Sequence, residues 1–306
     1  MNNKITISDV TARDGLQNVS TFIPTSDKVI LIEKLINSGV PEIQVGSFVS
    51  PKVIPQFADI KELTKALIAK FPTTIFNALV ANNRGMEDAI ANGIKKIVFF
   101  FSVSETHNLN NIHQNTDESL ATLSNMVSAS RATNTNAILR VDIATIFGCP
   151  FEGFIPLAHI LKCVDAVVSL GVTEITLCDT VGFANPKLIE ETICACQQEF
   201  PQTIFRLHLH NTRGLALANA LRAYDIGIRH FDATVGGIGG CPFAPGASGN
   251  VAIEDIVFMF QQMGIDTGIN LQKLFDTTAF VQKMLPLTPV CSALFHAGEP
   301  KAIGNI

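Results

Sequence analysis

Two of the seven histidines stand two residues apart in Ile204-Phe205-Arg206-Leu207-His208-Leu209-His210-Asn211, a stretch with the apolar density of a buried strand. Strand side chains repeat with period 2, so His208 and His210 face the same way. Paired imidazoles ahead of the polar run Asn211-Thr212-Arg213-Gly214 can form half of a metal site; a core histidine beside a capping one is the competing reading. Arg13-Asp14-Gly15 follows another strand-like run and offers an anion clamp and an anionic ligand, against the alternative of a solvated surface pair. Asp179 closes a third such run, where helix cap and catalytic carboxylate weigh equally. Asn250 ends the stretch 236–250, whose six glycines suit a loop that closes over a ligand with Cys241 near its tip. Asp14, His208, His210 and Asn250 together make an oxygen and nitrogen donor set without thiolate. Such a set suits Mg²⁺ or Mn²⁺ with positions left open for substrate oxygens. An ordinary thiol is mostly protonated at neutral pH, so Cys241 could deliver a proton to a carbanion at a dry site.

Those residues need a scaffold that brings strand ends together. Eight β-like runs are legible: Ile5–Val10, Glu42–Phe48, Thr74–Val80, Lys96–Val103, Ala137–Thr145, Glu174–Asp179, Thr203–His210 and His230–Val235. Between them lie amphipathic stretches at Ser26–Ser38, Gln56–Lys70, Met86–Asn92, Asp117–Ala132, Pro156–Leu170, Pro186–Phe200 and Leu215–Asp225. Glycines follow several of these helices directly, and Asn185-Pro186 reads as an N-cap with proline at the first helical position. Near-continuous apolar strands separated by helices call for parallel pairing with both faces covered. Eight such units predict an α/β fold, a (β/α)₈ TIM barrel, over about residues 5–263, with Ile253–Gln262 as its eighth helix. A helical segment over about 264–306 is expected to follow, within a single domain spanning 1–306. The doubly wound alternative lacks a Gly-rich phosphate fingerprint after the first strand. In a barrel the active site lies at the C-terminal strand ends, which is where the polar residues above fall.

Composition narrows the class further. Hydrophobic residues are 47% and charged residues 16% of the 306, which indicates a large buried core. A net charge of −5 gives no electrostatic footprint for nucleic acid. No apolar run approaches the roughly 20 residues of a membrane span. The absence of a leader-like N-terminus and the scattered, odd-numbered set of seven cysteines predict a cytoplasmic protein with reduced thiols.

Taken together, Val10-Thr11-Ala12-Arg13-Asp14-Gly15-Leu16-Gln17-Asn18, Ser47–Lys52, Gly148–Gly153, His208-Leu209-His210 and Gly239–Asn250 resemble the 3-hydroxy-3-methylglutaryl-CoA lyases. These are divalent-metal TIM-barrel enzymes related to the isopropylmalate and homocitrate synthases. The resemblance runs from about residue 5 to 285, and the Cys241 loop is its most specific part. It implies retro-Claisen cleavage of an acyl-CoA to acetyl-CoA and acetoacetate, chemistry of leucine degradation and ketone-body metabolism, with Mg²⁺ or Mn²⁺. It implies Asp14, His208, His210 and Asn250 as metal ligands, and Arg13 as the group that binds substrate and stabilises enolate charge. Cys241 would be the acid, Asp179 would join the proton-transfer network, and Arg140 would lie near the acyl-CoA. A homodimer is the expected assembly.

Several positions depart from that pattern. Gln44 replaces an acid of the polar network on the second strand, and an amide cannot take a proton. Asp142 and Thr145 replace an aromatic residue and a cysteine, and Asn211 and Arg213 replace an acidic and an aromatic residue. Gln44 is expected in the substrate-binding set, and the departures bear on the acyl group. Two other readings share the same residues: an acetyl-transferring synthase of the isopropylmalate or citramalate type, and an acyl-CoA-binding homologue with impaired catalysis.

Overall fold

Eight parallel strands close into a barrel in sequence order, β1 pairing with β8. They are β1 (Thr6–Asp9), β2 (Glu42–Ser47), β3 (Ile75–Val80), β4 (Lys96–Ser102), β5 (Ile138–Ala144), β6 (Glu174–Asp179), β7 (Ile204–Leu209) and β8 (His230–Ala233). The computed structural model describes residues 4–132, 137–240 and 249–298. Helices alternate with the strands and cover their outer faces: α1 (Thr25–Asn37), α2 (Ile60–Lys70), α3 (Asn83–Ala91), α4 (Glu105–Ile112), α5 (Thr116–Ala132), α6 (Leu157–Ser169), α7 (Pro186–Glu199), α8 (Ala216–Asp225) and α9 (Ile253–Gln262). The appended segment carries α10 (Leu271–Met284) and α11 (Ala293–Ala297). This is the (β/α)₈ barrel with C-terminal helices that the periodicity implies. Among the described residues no helix is long and apolar enough to cross a membrane.

Local chemistry sets the element ends. Asn185 caps α7 by accepting from the backbone N–H groups of Lys187 and Leu188, with Pro186 at the first position. Asn82 likewise accepts from Gly85 N–H, so α3 begins three residues before the expected Met86. Gly39 ends α1 at φ +94°, and a Cβ there would lie 2.4 Å from the Gly268 carbonyl oxygen, so the α1 terminus can pack on the later segment only as glycine. Helix α4 was not legible from periodicity, because its buried residues are the polar His107 and Asn108.

The barrel interior is unusual in its chemistry. Branched apolar side chains usually fill it. Here Glu42, Lys96, Arg140, Arg206 and Asp232 are buried inside it, with Glu174 at its edge. They are joined by Lys96–Glu42 at 3.2 Å, Lys96–Glu174 at 2.9 Å, Arg206–Glu42 at 3.4 Å, Arg206–Asp232 at 3.4 Å and a short Arg140–Asp232 pair. Buried charges persist only when paired, and each of these has a partner of opposite sign on another strand.

Candidate metal centre and cavity

The first site residues are placed by the turn that ends β1. Residues Thr11–Gly15 form one π-helical turn in which the Val10 carbonyl accepts from Arg13, Asp14 and Gly15 N–H at 3.2, 2.7 and 3.3 Å. That wide turn carries Arg13 and Asp14 over the barrel mouth together. Arg13 Nη1 donates to Asp14 Oδ1 at 2.5 Å, and Arg13 Nε donates to Gln44 Oε1 at 2.5 Å. Gln44 is fully buried and donates onward to Asn77 Oδ1, whose amide donates to Glu42. Gln44 therefore fixes the guanidinium from beneath and does not line the cavity.

Across the mouth, His208 ends in the same space as Asp14. Asp14 Oδ2 lies 3.8 Å from His208 Nε2 and 3.7 Å from His210 Nε2, and the two Nε2 atoms are 3.2 Å apart. Two ligand atoms in adjacent positions around one ion, each about 2.1 Å from it, stand about 3 Å apart, so the two nitrogens have the spacing of a shared ion. Among the described residues these three form the one cluster of acidic, histidine or cysteine side chains whose ligand atoms converge within 4.8 Å. Burial would raise the Asp14 carboxyl, but the Arg13 guanidinium and both imidazoles outweigh it and hold the group well below its usual range. His210 is pushed down, chiefly by burial, so its ring favours the neutral form a ligand needs.

Asn250 lies against Asp14. The chain returns beside β7, with Asn211 N–H bonded to the Gly249 carbonyl and Val251 N–H to the Leu209 carbonyl. Asn250 Nδ2 donates to Asp14 Oδ2 at 2.7 Å and to the carbonyls of Ile238 and Gly239, while its Oδ1 is buried with no partner among the described residues. A buried acceptor without a donor, on a side chain that also donates to Asp14, is open to a cation, and a mixed oxygen and nitrogen set favours a hard divalent ion. Gly239 makes the approach possible: at φ +91°, a Cβ there would fall 2.6 Å from the Asp14 carbonyl oxygen.

Sequence reasoning missed a residue beneath the cluster. Asp232 Oδ2 lies 3.5 Å from His208 Nδ1, so a carboxylate on β8 orients the ring and leaves Nε2 free for a ligand. The chain itself carried no signal for it, since Asp232 meets His208 only through the β7–β8 register.

The remaining expected residues divide. Arg140 is fully buried and does not line the cavity. It donates to Asp142 Oδ1 at 2.7 Å and to Asp232, so it sits under the floor and meets the cavity only through its carboxylate partners. Asp179 accepts from Phe183 N–H at 2.8 Å and Ala184 N–H at 3.2 Å, bonds that fix the β6–α7 loop and do not cap a helix, since Asn185 caps α7; burial raises its carboxyl to about 6. It too is absent from the cavity wall, although its neighbours Cys178 and Thr180 line it. Cys241 lies outside the described residues.

The cavity above the cluster holds about 850 Å³. Its floor bears Arg13, Asp14, His208 and His210, and its wall continues over Phe48–Pro51, the α3 start and the α4 face. That volume accommodates an extended ligand that reaches Asp14, His208 and His210.

Comparison with known proteins agrees with this fold. The HMGL-like family profile matches residues 4–281. A hydroxymethylglutaryl-CoA lyase of Bacillus subtilis, YngG, is 41% identical over 92% of this chain and 93% of its own. The mitochondrial hydroxymethylglutaryl-CoA lyase of Bos taurus is 40% identical over 92% of this chain and 86% of its own. Among solved structures, an HMG-CoA lyase from Acinetobacter baumannii in complex with coenzyme A and 3-methylmalate superposes with a TM-score of 0.92. It is 37% identical, with 100% of this chain and 99% of the other covered.

Proposed function

The chain belongs to the HMGL-like family, and from that premise we propose that it cleaves 3-hydroxy-3-methylglutaryl-CoA, or a close 3-hydroxy-3-alkylglutaryl-CoA, to acetyl-CoA and a 3-oxo acid. The observation that carries the reading is the convergence of Asp14, His208 and His210 beneath the cavity, with Asn250 bonded to Asp14 and its Oδ1 unpartnered among the described residues. These four residues would hold Mg²⁺ or Mn²⁺. A bound divalent cation supplies Lewis-acid polarisation of substrate oxygens at that point.

The chain's own groups then divide the work. Arg13, fixed by Gln44 and Asp14, presents a guanidinium at the floor, where negative charge develops on the thioester oxygen as the C2–C3 bond breaks. The tertiary hydroxyl loses its proton, the C3 carbon becomes the ketone of the 3-oxo acid, and the bonding pair passes to C2 as the thioester enolate. A proton delivered to C2 gives acetyl-CoA; Cys241 is our candidate donor. Asp179, whose carboxyl titrates at about 6, is our candidate member of the proton-transfer network, positioned by its own loop. A cytoplasmic homodimer of single-domain chains belongs to the same reading.

The test is direct. Purified protein with Mg²⁺ or Mn²⁺ should release acetyl-CoA from 3-hydroxy-3-methylglutaryl-CoA. Absence of turnover with every branched 3-hydroxyglutaryl thioester, while metal is bound, would overturn the assignment.

A further inference from the structure

We propose that Asp142 is a specificity-determining acceptor, selecting thioesters whose C3 substituent carries a second hydroxyl over those with a plain methyl. This rests on the lyase reading above and narrows its substrate class.

The observations concern one stretch of cavity wall. In the charged network of the barrel, Glu42, Arg140, Arg206 and Asp232 lie beneath the floor; Asp142 is the member that faces the cavity. Its side chain is 6% exposed, and that exposure opens onto the ligand space. Arg140 donates to both oxygens, at 2.7 and 3.3 Å, which fixes the carboxylate as a rigid fork. Each carboxylate oxygen offers two lone pairs, so Arg140 leaves acceptor capacity on both. Among the described residues no other group donates to Asp142.

The surroundings select the chemistry of the missing donor. Leu79, Phe100 and Ala144 line the same wall and supply no hydrogen, and the Cys178 thiol is directed to the Thr176 carbonyl oxygen at 3.7 Å. A methyl group pressed against Asp142 would leave its remaining lone pairs dry, which a polar site penalises. A substrate carboxylate would meet like charge. An ammonium group would be repelled by the Arg13 guanidinium that shares the floor. A neutral hydroxyl satisfies the acceptor without either penalty. The β5–β6 side of the floor, opposite the Arg13 turn, is therefore built to receive a hydroxyl.

The experiment compares 3-hydroxy-3-methylglutaryl-CoA with its 3-hydroxymethyl counterpart, using wild type, Asp142→Asn and Asp142→Ala. Calorimetry with the uncleavable 3-deoxy analogues of both measures selection apart from turnover. Wild type should prefer the hydroxymethyl compound by at least about tenfold in kcat/KM, mostly through KM, with the same order in analogue affinity. Asp142→Ala should lose or reverse that ratio. Asp142→Asn, which keeps an acceptor and guards against misfolding of the alanine variant, should fall between. Cleavage of both thioesters with equal efficiency by wild type, or a ratio unchanged in folded variants, overturns the proposal. If neither thioester is cleaved yet the analogues differ tenfold in wild type and not in Asp142→Ala, the lyase reading fails and the selection by Asp142 stands. If the analogues bind equally as well, both fall.

Discussion

Replacing Asp232 by asparagine should separate two roles that the buried network combines. The carboxylate is fully buried and accepts from Arg140, from Arg206 at 3.4 Å and from His208 Nδ1 at 3.5 Å. Breaking a buried ion pair by neutralising one partner costs about 3–5 kcal/mol. Arg140 retains Asp142 and Glu42, and Arg206 retains Glu42 and Glu174, so the lower end, about 3 kcal/mol, is expected. Loss of a carboxylate behind a ligating histidine typically lowers metal affinity 10–100-fold, and the amide can still accept from Nδ1, so the expected loss is about tenfold. Burial would raise the Asp232 carboxyl, but Arg140, His208 and Arg206 hold it below its ordinary range. Its stabilising contribution is therefore complete above about pH 4 and lost only as pH falls below that, a limb the variant should lack. Denaturant melts give the first quantity and titration with Mn²⁺ the second. Glu174→Gln is the comparison: it perturbs the same network through Lys96 and Arg206 and has no contact with His208. Equal losses of metal affinity in both variants would show that the network acts only through stability, and the orienting role would be abandoned.

Other perturbations isolate other parts. His208→Ala should abolish both Mn²⁺ binding and turnover, whereas Cys241→Ala should lower turnover roughly 10²–10⁴-fold with metal affinity retained; full activity in the latter would remove the thiol from the mechanism. Gly239→Ala places a methyl group against the Asp14 backbone, so metal titration should show weakened binding even where circular dichroism shows the barrel intact. Burial raises the Glu254 carboxyl from 4.5 to about 7, so the folded state holds its proton more tightly than the unfolded chain. Stability should then fall as pH rises from about 4.5 to about 7, and Glu254→Gln should flatten that part of the melting profile.

The barrel was legible because each strand is a short apolar run and the intervening stretches carry caps and helical periodicity. The grouping of Asp14 with His208 and His210 was legible for a related reason: once strand ends converge, polar residues at those ends must meet. Depth was not legible. Arg140 and Asp142 share a face of β5, yet one lies beneath the floor and the other on it, and only the barrel's shear and side-chain reach distinguish them. Asp232 was overlooked because its significance is a cross-strand relation with His208, invisible along the chain. For Asp179, cap and catalytic carboxylate weighed equally in sequence; the carboxylate accepts from Phe183 and Ala184 N–H in the loop, while Asn185 takes the cap of α7.

The appended helices bear on the glycine-rich loop by a mechanical route. Gly236, at the start of that loop, is held from two sides: Glu254 of α9 accepts from its N–H, while its carbonyl accepts from Cys291 N–H at 2.7 Å and Val290 packs against it. Asp255 of the same helix anchors the start of α11 through Ser292, Ala293 and Leu294. The tail and the loop therefore share one fastening point on the barrel. Trimming the chain before Val290, or fusing a bulky partner that pulls α11 away, would loosen the hold on Gly236 without touching any residue at the floor of the cavity.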